Sequence, residues 1–135
     1  MTEQGGCHCG AVRYEIADGA QPEHHALCHC SDCRKASGAP AVAWALFGSE
    51  AGHIDGATHE YASSDHGRRL FCPACGTGLF YTNSEVFPGK IDVQSSTLDN
   101  PDAFPLGAQI QTAERVGWME GLDTLPSFRR YPGME

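Results

Sequence analysis

The stretch CHCSDCRK carries the strongest chemical signal in the chain. It places three thiols, Cys28, Cys30 and Cys33, within six positions, and two cations, Arg34 and Lys35, follow directly. Buried cysteines can pack as small apolar side chains, but a core does not require three thiols at this spacing among polar neighbours. We therefore interpret the three thiols as ligands of one metal ion. Zinc with three protein ligands keeps a fourth position for water or substrate, as in reactive sites.

Two further cysteine pairs flank this cluster along the sequence. Cys7 and Cys9 lie in the glycine-rich stretch GGCHCG, and Cys72 and Cys75 form a Cys-x-x-Cys motif followed by Gly76. A redox role for Cys-x-x-Cys needs a strand followed by a helix, as in thioredoxin. Here the residues after the motif, GLFY, indicate another strand. The pattern therefore favours a zinc knuckle, in which a tight turn directs two sulfurs at one ion.

Seven thiols divide economically between a closed zinc site with four ligands and an open site with three. If the outer pairs stay together, Cys7, Cys9, Cys72 and Cys75 bind a structural ion. The central three thiols then form a second metal site, which could be partly occupied. Spacing alone leaves an alternative, because one cysteine of either outer pair could complete the central set. The closed site would link the two ends of a long loop, and structural zinc contributes about 10 kcal/mol or more to folding.

The open site has a distinct electrostatic character. Three thiolates on a divalent cation carry a net charge of about −1, so the ion generates hydroxide poorly but can still hold a soft sulfur ligand. We therefore expect a small thiol as substrate. If a helix starts at the cluster, its N-terminus together with Arg34 and Lys35 would lower the pKa of Cys33 and balance charge, although both cations could equally belong to a solvated helix face.

Short strands and turns are expected to position these thiols. Alternating apolar residues and turn signals predict few helices, with Ser31 as a plausible N-cap and Gly38 as the C-terminal stop of the first one. Trp118 and the tail stretch LPSF at 125–128 carry apolar side chains that are expected to clamp the C-terminus onto the body. The predicted elements are strands within 11–16, 26–27, 41–47, 58–62, 69–71, 78–81, 90–94 and 108–111, a helix over 32–37 and a turn over 102–104.

Length and composition narrow the class of protein. The 135 residues suit a single domain spanning 1–135, and 16 glycines and 8 prolines favour short elements. A net charge of −8 argues against nucleic acid as a partner. We find neither a signal peptide nor an apolar stretch long enough for a membrane helix, and we expect a cytoplasmic location, where clustered thiols indicate metal or catalysis. The spacing of His53, His59 and His66 matches no ligand pattern, so these histidines are expected at the surface.

The three cysteine motifs in this order resemble the glutathione-dependent formaldehyde-activating enzyme and centromere protein V family. The matching stretches are GGCHCGAVRYE, CHCSDCRK and FCPACGT, and the later TLD sequence at 97–99 is also similar, so the resemblance spans about residues 4–105. It implies a mainly β, β-tent-like fold of short strands in several small sheets with one or two short helices. It also implies structural zinc at the outer four cysteines and a second zinc at the central three.

The activity implied by the resemblance joins glutathione and formaldehyde into S-hydroxymethylglutathione, or cleaves that adduct as a carbon-sulfur lyase. The first hypothesis is therefore a zinc-dependent lyase-type enzyme that acts on a small thiol adduct. The second is a non-enzymatic zinc domain that binds a protein partner. The sequence contains no glutathione motif, and the fold and metal site do not determine the substrate.

Overall fold

A computed structural model describes residues 2–134, and strands dominate it. Ten strands and one α-helix are present in this part of the chain, with 3-10 turns between some of them. The strands are β1 Glu3–Gly6, β2 Arg13–Ile16, β3 His24–Cys28, β4 Val42–Gly48, β5 Gly52–Asp55, β6 His59–Ala62, β7 Gly67–Phe71, β8 Gly78–Asn83, β9 Lys90–Gln94 and β10 Ala108–Ile110, and the helix is α1 Ser31–Ser37. The mainly β, β-tent-like fold that the resemblance implies is confirmed.

The strands form two sheets. A three-stranded antiparallel sheet has the order β1-β2-β5, and a seven-stranded sheet has the order β10-β3-β4-β9-β8-β7-β6. In the larger sheet only β10 runs parallel to its neighbour β3. This order places β3, which ends at Cys28, between β4 and the edge strand β10.

The main apolar core lies between the two sheets. It includes Val12 and Tyr14 from the small sheet and Phe47, Phe80 and Val93 from the large one. The ring of Tyr14 meets that of Phe80 edge-on, with centroids 5.2 Å apart. Period-two alternation along β2 and β9 thus places one set of apolar side chains in this core.

The TLD stretch fastens the chain to the small sheet. The hydroxyl groups of Thr97 and Tyr14 lie 2.7 Å apart, and Leu98 is buried and forms a bridge with Gly5. Asp99 accepts two hydrogen bonds from the guanidinium of Arg13, at 2.5 and 3.1 Å. The residues that resemble the family's later pattern therefore serve to join the two sheets.

Most predicted elements are present, but two points need correction. Strands β1 and β5 were not predicted, and both pair with β2. The N-cap of α1 is Cys30 rather than Ser31, whereas Gly38 does end the helix in the left-handed conformation, with φ of 73°. The predicted turn near 102–104 is present, and it is closed by a hydrogen bond from the Ala103 amide to the Asn100 carbonyl.

The C-terminal tail does not clamp onto the body through its aromatic side chains. Trp118 and Phe128 are 59% and 54% exposed, and Leu125 and other large apolar residues of the tail are also exposed. The expectation that these residues act as anchors is therefore wrong. Within residues 2–134, no helix has the length and apolar character needed to cross a membrane.

Candidate metal centres

Four sulfurs from the outer cysteine pairs converge on one point, and we call this set the four-thiol cluster. Cys7 and Cys9 follow β1, Cys72 and Cys75 follow β7, and all four Sγ atoms lie within 4.8 Å of one another. The Sγ atoms of Cys7 and Cys9 are 3.7 Å apart, and those of Cys9 and Cys72 are 3.8 Å apart. Zinc–sulfur bonds of about 2.3 Å in a tetrahedron separate the sulfurs by about 3.8 Å, so the observed spacing suits zinc.

Two tight turns produce this convergence. The Cys7 amide donates to the Val12 carbonyl at 3.0 Å, and the Cys72 amide donates to the Thr77 carbonyl at 3.0 Å. Gly76 takes the left-handed conformation, with φ of 81°, as the Cys-x-x-Cys-Gly pattern predicts. Each strand therefore ends in a knuckle that directs both of its thiols at the common point, one of them buried and one exposed.

Thr77 connects the two knuckles and was not singled out from the sequence. Its Oγ1 accepts a hydrogen bond from the His8 amide at 3.1 Å and lies 3.2 Å from Sγ of Cys75. Hydrogen bonds from the Thr77 side chain and backbone lower the pKa of Cys75 to about 5. They favour the thiolate, which is the form that binds metal.

The central three thiols also lie within 4.8 Å of one another. Cys28 is the last residue of β3, Cys30 caps α1, and Cys33 lies in the first turn of that helix. The Cys33 amide donates to Sγ of Cys30 at 3.3 Å. The end of a strand and the start of a helix thus hold the set, which we call the three-thiol cluster.

Trp44 and Arg69 donate hydrogen bonds to the three-thiol cluster. Trp44 Nε1 lies 3.4 Å from Sγ of Cys33, and Arg69 Nη2 lies 3.7 Å from the same sulfur. Burial alone would raise the pKa of Cys33, but these N–H groups and the contact with Cys30 outweigh it, so the pKa is lowered. Arg69 also lies over the Tyr81 ring, 5.3 Å from its centroid. Its distance of 36 residues from Cys33 explains why spacing along the chain gave no signal.

The two cations next to the cluster in sequence are placed differently. Arg34 is half-buried, and its Nε has no hydrogen-bond partner among the described residues. Lys35 is exposed. The cation that the structure places against a cluster sulfur is therefore Arg69, and a role for Arg34 or Lys35 in charge balance stays a prediction.

The other two thiols of the cluster resist ionisation. Burial raises the pKa of Cys28 to about 12, and it also raises the pKa of Cys30. A bound divalent cation would reverse this preference and release the protons. The donor set suits a soft or borderline ion such as zinc, and three ligands leave one coordination position free.

A cavity of about 580 Å³ lies beside the three-thiol cluster, separated from it by residues that contact Cys33. Trp44 and Arg69, the two residues that donate to Cys33, form part of its wall, with Tyr61 and Gln94 nearby. Thr77, whose hydroxyl contacts Cys75, lines it too. This volume can enclose a small organic molecule.

The three histidines His53, His59 and His66 are exposed, so the surface position predicted for them is confirmed. His59 also lines the cavity.

Asp92 is a buried acid that the sequence analysis missed. It lies on β9 directly opposite Tyr81 and Leu46 and is 6% exposed. Its Oδ1 has no hydrogen-bond partner among residues 2–134, and burial raises the pKa of Asp92 to about 6. In the sequence, Asp92 lies between the apolar residues Ile91 and Val93. This alternation is typical of a strand whose acidic residue faces solvent, so it gave no sign that Asp92 is buried.

Comparison with known proteins identifies the family. The family described as glutathione-dependent formaldehyde-activating enzyme matches residues 2–114. A Halomonas elongata protein provisionally named as such an enzyme is 34% identical over 129 residues, covering 89% of this chain and 81% of the relative. The chain therefore belongs to the glutathione-dependent formaldehyde-activating enzyme family.

Two further similarities agree with this result. An uncharacterised lyase of Schizosaccharomyces pombe is 28% identical over 115 residues, covering 75% of this chain and 82% of the relative. The crystal structure of a Rhodobacter sphaeroides protein aligns with a TM-score of 0.59 at 22% identity, covering 78% of this chain and 98% of that one. At this identity the structural likeness supports the fold alone.

Proposed function

We propose that this protein is a zinc-dependent carbon-sulfur lyase-type enzyme that acts on the adduct of a small thiol with an aldehyde, such as that of glutathione with formaldehyde. The observation that carries the proposal is the three-thiol cluster beside a cavity of about 580 Å³, with Trp44 and Arg69 shared between them. Family membership and the lyase name of one relative support the reaction class.

The proposed reaction at sulfur is balanced without a redox partner. In the synthetic direction the thiol sulfur bonds to the carbonyl carbon, the carbon–oxygen π bond breaks, and the thiol proton ends on the new hydroxyl oxygen. Cleavage reverses these steps. A zinc ion held by Cys28, Cys30 and Cys33 would favour the thiolate form of the substrate, which is the nucleophile.

Residues of the cavity wall provide the surrounding electrostatics. Three thiolates and a divalent cation sum to about −1, and a substrate thiolate adds a further negative charge. Arg69 and Trp44 each direct an N–H group at Cys33, so they stabilise this concentration of negative charge. The cation of Arg69 also suits a carboxylate-bearing thiol, a class that includes glutathione.

The alternative is a non-enzymatic zinc-binding domain that contacts a protein partner. It is favoured by one observation, the exposed apolar side chains of the C-terminal tail, including Trp118, Leu125 and Phe128. Contiguous exposed apolar surface often marks an interaction site. In this alternative the three-thiol cluster stabilises the fold and does not react.

Thiol binding and turnover separate the two proposals. Zinc-loaded protein should bind glutathione in titration calorimetry, and it should not bind S-methylglutathione, whose sulfur is capped. It should also accelerate exchange between formaldehyde and its glutathione adduct, followed by NMR exchange spectroscopy. Cys28→Ala should remain folded and lose both properties. A fully zinc-loaded protein that binds no small thiol and accelerates no exchange would overturn the enzyme proposal.

A further inference from the structure

The C-terminal part of the chain holds the loop that carries the three thiols. His29 lies between Cys28 and Cys30, is 1% exposed, and its Nε2 lies 2.8 Å from Oε1 of Gln109. The same Oε1 lies 3.2 Å from Nη2 of Arg115. Arginine can only donate, so the Gln109 atom that faces both residues is an acceptor. Nε2 of His29 therefore carries the hydrogen and donates a hydrogen bond to Oε1 of Gln109.

Backbone contacts hold the same loop. Strand β10 runs parallel to β3, with Ile110 opposite Cys28, and the His29 amide donates to the Ile110 carbonyl at 3.1 Å. The Ser31 amide donates to Oε1 of Glu114 at 3.1 Å, and this bond lowers the pKa of Glu114. Contacts from 109–114 therefore fix the residues on both sides of Cys30.

An ion pair between Arg115 and Glu120 supports the hydrogen bond between Gln109 and His29. Nη1 of Arg115 lies 3.1 Å from Oε1 of Glu120, and the Arg115 side chain is only 22% exposed. Arg115 is thereby held where its second nitrogen reaches Gln109. Both Arg115 and Glu120 lie beyond residue 114, where the match to the family ends.

We infer that residues 108–120, which we call the C-terminal arm, position the three-thiol loop, and that Gln109 is the main positioning residue. Gln109 fixes the ring of His29, and the ring fixes the backbone between Cys28 and Cys30. The function of the arm is to hold the three sulfurs in a metal-binding arrangement before the ion arrives. This inference concerns the geometry of the loop and does not depend on the identity of the reaction.

Gln109→Leu tests the inference, because leucine has a similar size but cannot accept the bond from His29. Partners of metal ligands typically contribute 10–100-fold to metal affinity. With zinc-loaded protein and a chromogenic chelator, we expect the zinc of the three-thiol cluster to leave about 10-fold faster, while release from the four-thiol cluster is unchanged. Gln109→Glu keeps both acceptor contacts and should restore slow release. Gln21→Leu, at an exposed position outside the arm, is the matched control.

Amide hydrogen exchange provides a second measurement that does not require metal at the cluster. In Gln109→Leu the amides of His29 and Ser31 should exchange faster than in the parent, and Gln109→Glu should restore their protection. Unchanged exchange together with unchanged zinc release would overturn the inference. Equal acceleration at both clusters would also overturn it, because that result indicates general destabilisation. If the parent holds a single zinc ion, the proposed function fails, and the exchange measurement alone decides whether the arm positions the loop.

Discussion

The stability of an Asp92→Asn variant, measured relative to that of the parent protein, should increase as the pH rises. Burial raises the pKa of Asp92 from 3.8 to about 6, because its ionised form loses hydration without gaining a partner for Oδ1. A group with a raised folded-state pKa contributes stability that is fully present below its unfolded pKa and is lost as the pH rises through the folded value. The asparagine side chain of the variant does not titrate, so the variant would avoid this loss.

The magnitude follows from the two pKa values. A shift of one unit corresponds to about 1.4 kcal/mol, so the shift of Asp92 to about 6 corresponds to about 3 kcal/mol over the full range. About half of this change falls between roughly pH 5 and pH 8. Parent and variant share the same thiols, so the pH dependence of metal binding cancels in the difference between them. Any constant cost of burying the asparagine amide affects the offset and not the pH dependence.

Urea unfolding of zinc-saturated parent and Asp92→Asn at several pH values provides the assay. We expect the free energy of unfolding of the variant, minus that of the parent, to increase by about 1.5 kcal/mol from roughly pH 5 to pH 8, with unchanged m values. A difference that stays constant over this range would refute the reasoning, because Asp92 would then ionise as readily in the folded protein as in the unfolded chain.

Three other sets of substitutions test the division of the thiols, the role of Arg69 and the exposure of the tail. Cys72→Ala should lower the melting temperature sharply, because structural zinc contributes about 10 kcal/mol to folding, whereas Cys33→Ala should change the melting temperature little. Differential scanning fluorimetry distinguishes the two variants. Equal losses in melting temperature would contradict the division of the thiols into a structural and a reactive site. Arg69→Met keeps the apolar stem but removes the N–H group at Cys33, so calorimetry should show weaker glutathione binding, and unchanged affinity would exclude the proposed electrostatic role. Replacing the exposed Trp118 and Phe128 by serine should change the free energy of unfolding by about 0.5 kcal/mol or less each; a loss above about 2 kcal/mol would show that they do anchor the tail.

The sequence predicted the parts of the site that depend on local spacing. Thiols separated by one or two residues must share a turn, so the pairs at Cys7 and Cys72 and the cluster at Cys28 were visible without a structure. The structure brings together the same groups of four and three sulfurs that the economical division assigns. Strand alternation similarly predicted β2, β4 and β9, because one apolar face of each strand is buried.

Features that depend on pairing between distant segments could not be predicted. Arg69 reaches Cys33 only because β7 and α1 meet in space, and Gln109 reaches His29 only because β10 joins β3 in parallel. Strand β1 has the glycine-rich sequence EQGG, which carries no strand signal, and pairing with β2 determines its conformation. The tail was misjudged because the sequence shows that Trp118 is apolar but not whether a surface lies within its reach.

Zinc content per chain tests the central claim most directly. We expect two zinc ions per chain in the parent protein by elemental analysis, and one in Cys28→Ala with the melting temperature largely retained. The lost ion should be the one that exchanges more readily in the parent and whose release glutathione alters. A parent protein with a single tightly held zinc ion that glutathione does not affect would contradict the claim that the three-thiol cluster is a reactive metal site.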